Sequence, residues 1–253
     1  MNEEMNIYSN IVKKAGQGKK QFSVLIDPDK PGDLKELIKR AEAADVDYFF
    51  IGGSLITTSG IASCVKMIKE KSLIPVVLFP GSTLQITEHA DAVLFLALIS
   101  GRNAELLIGK HVTAAPVVKA SKLEVIPTGY MLIDGGKPTT ASYISNTSPI
   151  PADKDEIAMS TAMAGEMLGM RLIYADAGSG AENAVSESMI RLIKKNITIP
   201  LIVGGGIRTA ERAAKAYAAG ADMVVVGNGI EKDLSLIEKI SGKREISKSI
   251  SSN

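Results

Sequence analysis

The residues able to do chemistry in this chain sit where short apolar runs end. Tyr174-Ala175-Asp176-Ala177-Gly178-Ser179-Gly180, Gly204-Gly205-Gly206-Ile207-Arg208 and Gly227-Asn228-Gly229 follow hydrophobic stretches at 171–174, 200–203 and 223–226. Glycines let backbone N–H groups come close to an anion, and helix N-termini add partial positive charge. Three such turns in series suit one bound phosphate. Earlier, Asp27-Pro28-Asp29-Lys30 sets two carboxylates and a lysine around a proline, and Gly52-Gly53-Ser54 closes the next apolar run. Asp27 and Ser54 together offer hard oxygen donors suited to Mg²⁺, which takes few protein oxygens and keeps water and substrate phosphates. The same aspartates would equally form a turn that caps the following helix. Arg208 either reaches a phosphate or ties down the surface. His89 and His111 stand alone, without metal-ligand spacing to another His or Cys.

These turns need a scaffold that brings them to one place. Strand-like runs occur at 22–26, 47–51, 75–79, 92–98, 124–132, 171–174, 200–203 and 223–226. They are rich in Val, Ile, Leu and Phe without strict alternation, as parallel strands buried on both faces require. Helical periodicity fills 33–44, with Leu34, Leu37, Ile38 and Ala41 on one face, and 153–168, with Ile157, Thr161, Ala164 and Leu168 together. It recurs at 184–195 and 209–219, where Gly220 reads as a helix-ending glycine. Residues 43–53 and 218–228 echo each other, each running from a helix end through a strand to a glycine turn. Eight strands with intervening helices predict an α/β fold, a (β/α)8 TIM barrel. One unit departs from that rule: the chain between Phe79-Pro80-Gly81 and the fourth strand is too short for a full helix and its loops. The third helix is therefore expected to be shortened or missing. Residues 134–151, rich in Gly, Pro, Ser and Thr, predict a lid or binding loop after the fifth strand.

Length bounds this reading to a single barrel domain over 1–253, with a core at about 20–240 and a poorly ordered tail at 241–253. A formal net charge of +1 argues against nucleic acid as a partner. The lone Cys64 excludes an internal disulfide, fits a cytoplasmic protein, and reads as buried beside Ile61, Val65 and Ile68 on a helix. Residues 48–65 lack charge, nominally at spanning length, but their Ser, Thr and Gly break the run into strand, turn and helix start. No transmembrane segment is expected, and peripheral contact with a bilayer stays open. Lys13-Lys14 and Lys19-Lys20 read as solvated surface, or as attraction for an anionic substrate.

Taken in order, Asp27-Pro28-Asp29-Lys30, Gly52-Gly53-Ser54, Phe79-Pro80-Gly81, residues 174–180, residues 204–208 and Gly227-Asn228 resemble the geranylgeranylglyceryl phosphate synthase family. The resemblance runs from about residue 20 to 240. It implies a modified barrel without a regular third helix. It also implies a Mg²⁺-dependent prenyltransferase that joins sn-glycerol 1-phosphate to geranylgeranyl diphosphate, forming the first ether bond of archaeal-type lipids and releasing diphosphate. By position, the resemblance makes Asp27 and Ser54 the Mg²⁺ contacts. It assigns glycerol phosphate to Tyr174, Ala175, Asp176, Ala177, Gly178, Ser179, Gly180, Gly205, Gly206, Gly227 and Asn228. It further implies Asp176 as the base for the glycerol C3 hydroxyl and Tyr174 as the residue that orients the glycerol. Family members often carry glutamate at the position of Asp176, and aspartate is shorter by one methylene. The resemblance also implies self-association, as dimer or hexamer.

Three alternatives remain open at this point. A longer, heptaprenyl-type donor would keep the mechanism. A sugar-phosphate isomerase or lyase would share the late glycine turns but would want an acid–base pair or an inner-strand lysine, and Lys119 and Lys122 lie in or after a helix. A non-catalytic phosphate-binding barrel would bind the anion without metal-dependent turnover.

Overall fold

The computed structural model describes residues 6–57 and 60–244. Its eight strands are β1 (Gln21–Ile26), β2 (Tyr48–Ile51), β3 (Val76–Leu78), β4 (Ala92–Leu98), β5 (Glu124–Leu132), β6 (Leu172–Asp176), β7 (Leu201–Gly204) and β8 (Met223–Val226). All pair in parallel with their sequence neighbours, and β8 closes on β1, so the sheet is a complete barrel. The apolar runs are continuous because both strand faces are buried. Phe50, Leu94, Tyr174, Ile202 and Val225 fill the interior. Alternate residues, such as Phe49, Val93, Ile173 and Val203, face the helical layer.

The helices are α1 (Ile7–Gly16), α2 (Leu34–Ala43), α3 (Ile61–Lys71), α4 (Lys110–Ser121), α5 (Thr140–Ser145), α6 (Asp155–Met167), α7 (Glu187–Asn196), α8 (Ala210–Ala219), α9 (Asn228–Lys232) and α10 (Leu236–Ser241). A π-helical turn, Glu105–Gly109, leads into α4. Between β3 and β4 there is only a 3₁₀ turn at Thr83–Gln85, so the third helix is absent as the short connection required. The two echoing segments become the ends of α2 and α8 followed by β2 and β8, the two strands that flank β1. Gly220 caps α8 with a φ of 120°, and Cys64 is buried in α3 beside Ile61, Val65 and Ile68. Among the described residues no helix is long and apolar enough to cross a membrane.

Three expectations need correction. On α6 the buried face is Ala158, Ala162 and Gly165, while Ile157 and Leu168 are exposed at 48% and 77%. Small residues win this face because the helix lies close to the sheet: a Cβ at Gly165 would stand 2.8 Å from Ile99 Cδ1 and 3.1 Å from Ile173 Cδ1. The lysine pairs do not serve the functional face. Lys14 pairs with Asp47 at the start of β2, and Lys20 donates to Ala221 O just before β8, both at the opposite end of the barrel. That end is plugged by α1, whose Ile11 is buried against the interior and whose first turn is held by Glu124 accepting from Ile7 and Tyr8 N–H. The 134–151 segment, in keeping with a binding element, folds as α5 behind a Thr139–Ser142 capping box and places Thr140, Ala141, Ile144 and Ser145 on the cavity at the C-terminal ends of the strands. In the tail, Ser241 completes α10 and Arg244 pairs with Asp47 at 2.7 Å, so this part is ordered. Residues 245–253 lie outside the described residues.

Candidate active site

Every chemistry-bearing turn leaves the barrel at the C-terminal ends of the strands, where side chains and backbone from separate units can meet. There they line one cavity of about 550 Å³, shared by Asp27, Ser54, Tyr174, Asp176, the glycine turns and Asn228. The three turns touch one another. Ser179 Oγ donates to Asn228 Oδ1 at 2.6 Å, joining the β6 and β8 turns. Arg208 donates to Gly180 O and Ala181 O at 3.0 and 2.6 Å, joining the β7 and β6 turns. Arg208 thus clamps a loop. Arg212, which sequence reasoning passed over, does the same with Glu182 O and Gly206 O. Its position one turn into α8 lets it reach back, but nothing in the local pattern announces that reach.

Gly205 shows why a side chain is excluded here. With φ of +75°, an added Cβ would lie 2.5 Å from both Asp176 Oδ1 and Gly178 N. The β2 turn is equally tight, for a Cβ on Gly52 would meet Phe79 O at 2.0 Å. Gln85 of the 3₁₀ turn secures it, accepting from Gly81 N and donating to Gly53 O. Gln85 thus fixes the carbonyl immediately before Ser54. Asp27 Oδ1 accepts from Asp29 N–H at 2.9 Å while the residue still lines the cavity, so the turn and the donor readings of this segment coexist. Asp33, not Asp27 or Asp29, caps α2.

Asp176 ends β6 and is 7% exposed. Burial raises its carboxyl above the ordinary aspartate range, partly offset by hydrogen bonds from Tyr130 and Gly178 N–H. Tyr174 is buried two residues earlier on the same face, stacked on Phe79 with centroids 5.2 Å apart. Tyr130 was not singled out in the sequence. An aromatic residue within a β5 apolar run carries no signal beyond core packing, yet it lines the cavity. Ala175 and Ala177 do not contribute to the cavity lining. Both are buried in the layer between sheet and helices, because alternate strand residues point outward. The N–H of Ala177 donates to Gly204 O and that of Gly178 to Asp176 Oδ1, so both brace the site itself.

Toward the gap in the helical ring the cavity becomes apolar. Ile86, Phe95, Leu98, Leu106, Ala114 and Val118 line it, together with His111, whose ring meets Phe95 edge-on at 4.6 Å. Val93 and Phe95 are outward-facing residues of β4. The missing third helix leaves that face to α4, and a groove opens between them. Burial lowers the His111 pKa, so its imidazole is neutral near pH 7 and suits the apolar wall. One end of the cavity thus suits a phosphate and the other a hydrocarbon.

This pairing has counterparts. A protein from Chitinophaga pinensis named geranylgeranylglyceryl phosphate synthase is 57% identical over 237 residues, 93% of this chain and 94% of that protein. Residues 16–243 match the model of the PcrB family. The chain belongs to that family. A Thermococcus kodakarensis geranylgeranylglyceryl phosphate synthase is 44% identical over 88% of both chains. Among solved structures, the (S)-3-O-geranylgeranylglyceryl phosphate synthase of Thermoplasma acidophilum, in complex with its substrate sn-glycerol-1-phosphate, superimposes with a TM-score of 0.90 at 34% identity. That match covers 96% of this chain and 99% of the other. Relatives at 57% and 44% identity carry the name of a prenyltransferase. None of the eight strands carries the inner lysine that a Schiff-base isomerase or lyase would want, and Lys119 and Lys122 lie on α4 and at its C-cap.

Proposed function

We propose that this PcrB-family protein transfers the geranylgeranyl group of geranylgeranyl diphosphate to the C3 hydroxyl of sn-glycerol 1-phosphate. The observation that carries this reading is the join between the two halves of the cavity: a buried carboxylate stands where the glycine turns give way to the apolar groove. The phosphate of the acceptor is taken by the turns at residues 179–180, 205–206 and 227–228, which Arg208 and Arg212 hold in register. Tyr174, fixed by its stacking on Phe79, orients the glycerol. The prenyl chain occupies the groove between β4 and α4.

Asp27 and Ser54 are the residues that would hold Mg²⁺. Their donors are both hard oxygens, and both residues line the same cavity, where the Glu231 carboxyl is pushed up by burial and by the charge of Asp27 against the opposing effect of Lys30 and Lys232. Among the described residues no three His, Cys, Asp or Glu side chains form a metal cage. A cation here would draw the rest of its shell from water and phosphate oxygens. Bound there, Mg²⁺ would stabilise the charge of the departing diphosphate. In the reaction the bond between prenyl C1 and the diphosphate oxygen breaks, with its electron pair leaving on diphosphate. The glycerol hydroxyl oxygen bonds to C1, and its proton passes to Asp176. Much of the acceleration would come from holding the two substrates aligned.

The test is ether formation from labelled glycerol 1-phosphate with farnesyl, geranylgeranyl and heptaprenyl diphosphates, with and without a chelator. The proposal predicts metal-dependent product, best with the twenty-carbon donor. Product best with the heptaprenyl donor would keep the mechanism and change the donor. Binding of glycerol phosphate without product from any donor would leave a binding barrel.

A further inference from the structure

Tyr130 belongs to none of the glycine or aspartate motifs, yet it makes the most direct contact with the carboxylate on which the reaction turns. It lies on β5 in register with Tyr174 of β6, so the two rings enter the barrel mouth side by side. Its hydroxyl donates to Asp176 Oδ2 at 2.7 Å. The other oxygen, Oδ1, accepts from Gly178 N–H, also at 2.7 Å. Each carboxylate oxygen is therefore held by one donor of its own, from two different elements. That fixes the plane of the carboxylate and leaves its remaining lone pairs for the cavity. The ring itself is set edge-on to Phe79 at 5.9 Å and to Tyr174 at 5.6 Å, which restricts where the hydroxyl can point.

We infer that Tyr130 is a positioning residue for the general base, aiming the Asp176 carboxylate at the acceptor hydroxyl. Packing alone does not account for it, because phenylalanine would fill the same volume among the same aromatic neighbours. The inference rests on the reading of Asp176 as base. Burial holds the Tyr130 hydroxyl protonated, as does the adjacent Asp176 charge, so it stays a donor through the range in which the enzyme would work. Its hydrogen bond stabilises the ionised form of Asp176 against the burial that disfavours it. Removing the donor therefore raises the Asp176 pKa further and moves the acid limb of the pH–rate profile to higher pH. Other groups around Asp176 stay in place in that comparison. They are Tyr174 on its own strand, Gly178 N–H in the next turn and Gly205 just after β7, with Asp27, Asp29, Lys30, Lys110, His111, Arg208 and Glu231 lining the same cavity.

The experiment compares wild type, Tyr130→Phe and Asp176→Asn. For Tyr130→Phe, kcat should fall about tenfold to a hundredfold, as expected for loss of a hydrogen bond to a charged group. KM for glycerol 1-phosphate should hardly change, the melting temperature should fall by a few degrees because a buried hydrogen bond to a charged group is lost, and the acid limb should shift upward. An infrared titration of the Asp176 carboxyl in the resting protein, identified by its loss in Asp176→Asn, should show the same upward shift without any turnover. Wild-type kcat with an unmoved limb in Tyr130→Phe, while Asp176→Asn is inactive, would overturn the inference and leave the base intact. A fall in kcat matched by a fall in substrate affinity, with the acid limb unmoved, would reduce Tyr130 to a packing residue and overturn the inference equally. Full turnover by Asp176→Asn would remove the base assignment itself, and the inference with it.

Discussion

Replacing Gly205 by alanine should separate the cost of a backbone conformation from the cost of disturbing the site. The new methyl would stand 2.5 Å from Asp176 Oδ1 and 2.5 Å from Gly178 N, about 0.9 Å inside the 3.4 Å at which ordinary contact begins. Neither neighbour is the loose end of a flexible side chain. The carboxylate is pinned by Tyr130 and Gly178 N–H, and the other contact is backbone. Relief therefore requires the base or the phosphate turn to move by most of an ångström. A displacement of that size is worth about a hundredfold in rate when alignment carries the catalysis. Stability should fall as well, by about 1–2 kcal/mol for a non-glycine residue in the left-handed region and about 1–3 kcal/mol for overpacking. Gly169 supplies the control: its φ of +89° is comparable, but no atom lies within 4 Å of its added Cβ, and it sits at the far end of β6. Gly169→Ala should lose only about 1 kcal/mol, a few degrees in melting temperature, with kcat unchanged. Thermal unfolding and steady-state kinetics on both variants decide the matter. If Gly205→Ala turned over like Gly169→Ala, Gly205 would not be seated against the base and the turn as described.

Three further outcomes follow from the same geometry. Asp27→Asn should raise the Mg²⁺ concentration needed for half-maximal rate by about tenfold or more while calorimetry finds unaltered affinity for glycerol 1-phosphate, because only one of few protein oxygens is weakened; unchanged metal dependence would remove Asp27 from the metal. Ala114→Phe, which fills the groove beside Phe95, should depress kcat/KM for the twenty-carbon donor far more than for a ten-carbon donor, and an equal loss for both would place the chain elsewhere. For the wild type, burial raises the Asp176 pKa and the base must be ionised, so the acid limb of kcat/KM should lie above the pH at which an exposed aspartate titrates. An acid limb at or below that pH would contradict this environment for the base.

The barrel was legible in the sequence because its strands are buried on both faces, so each appears as an uninterrupted apolar run whose end is marked by glycine. The absent third helix was equally readable, since a count of residues between Gly81 and Ala92 leaves no room for it. Phosphate turns announce themselves through glycine, and Asp27, Ser54 and Asp176 through their place just beyond a strand. What stayed hidden depends on distance across the fold rather than on local pattern. The inner face of α6 is built from Ala and Gly, which hydrophobic periodicity passes over in favour of Ile157 and Leu168. Arg212 and Gln85 act by reaching back to carbonyls of other loops. Tyr130 acts through a residue forty-six positions away, and its own neighbourhood shows only an apolar strand.

In the proposed reaction a glycerol hydroxyl and a prenyl carbon are joined at Asp176. The most direct measurement is a single incubation of geranylgeranyl diphosphate, Mg²⁺ and glycerol 1-phosphate carrying ¹⁸O in its C3 hydroxyl, followed by mass spectrometry of lipid and diphosphate. The expected result is one ether that retains the label, unlabelled diphosphate in equal amount, and neither from Asp176→Asn. Geranylgeraniol with diphosphate and no ether would contradict it, since the cavity would then deliver water rather than glycerol to the prenyl carbon.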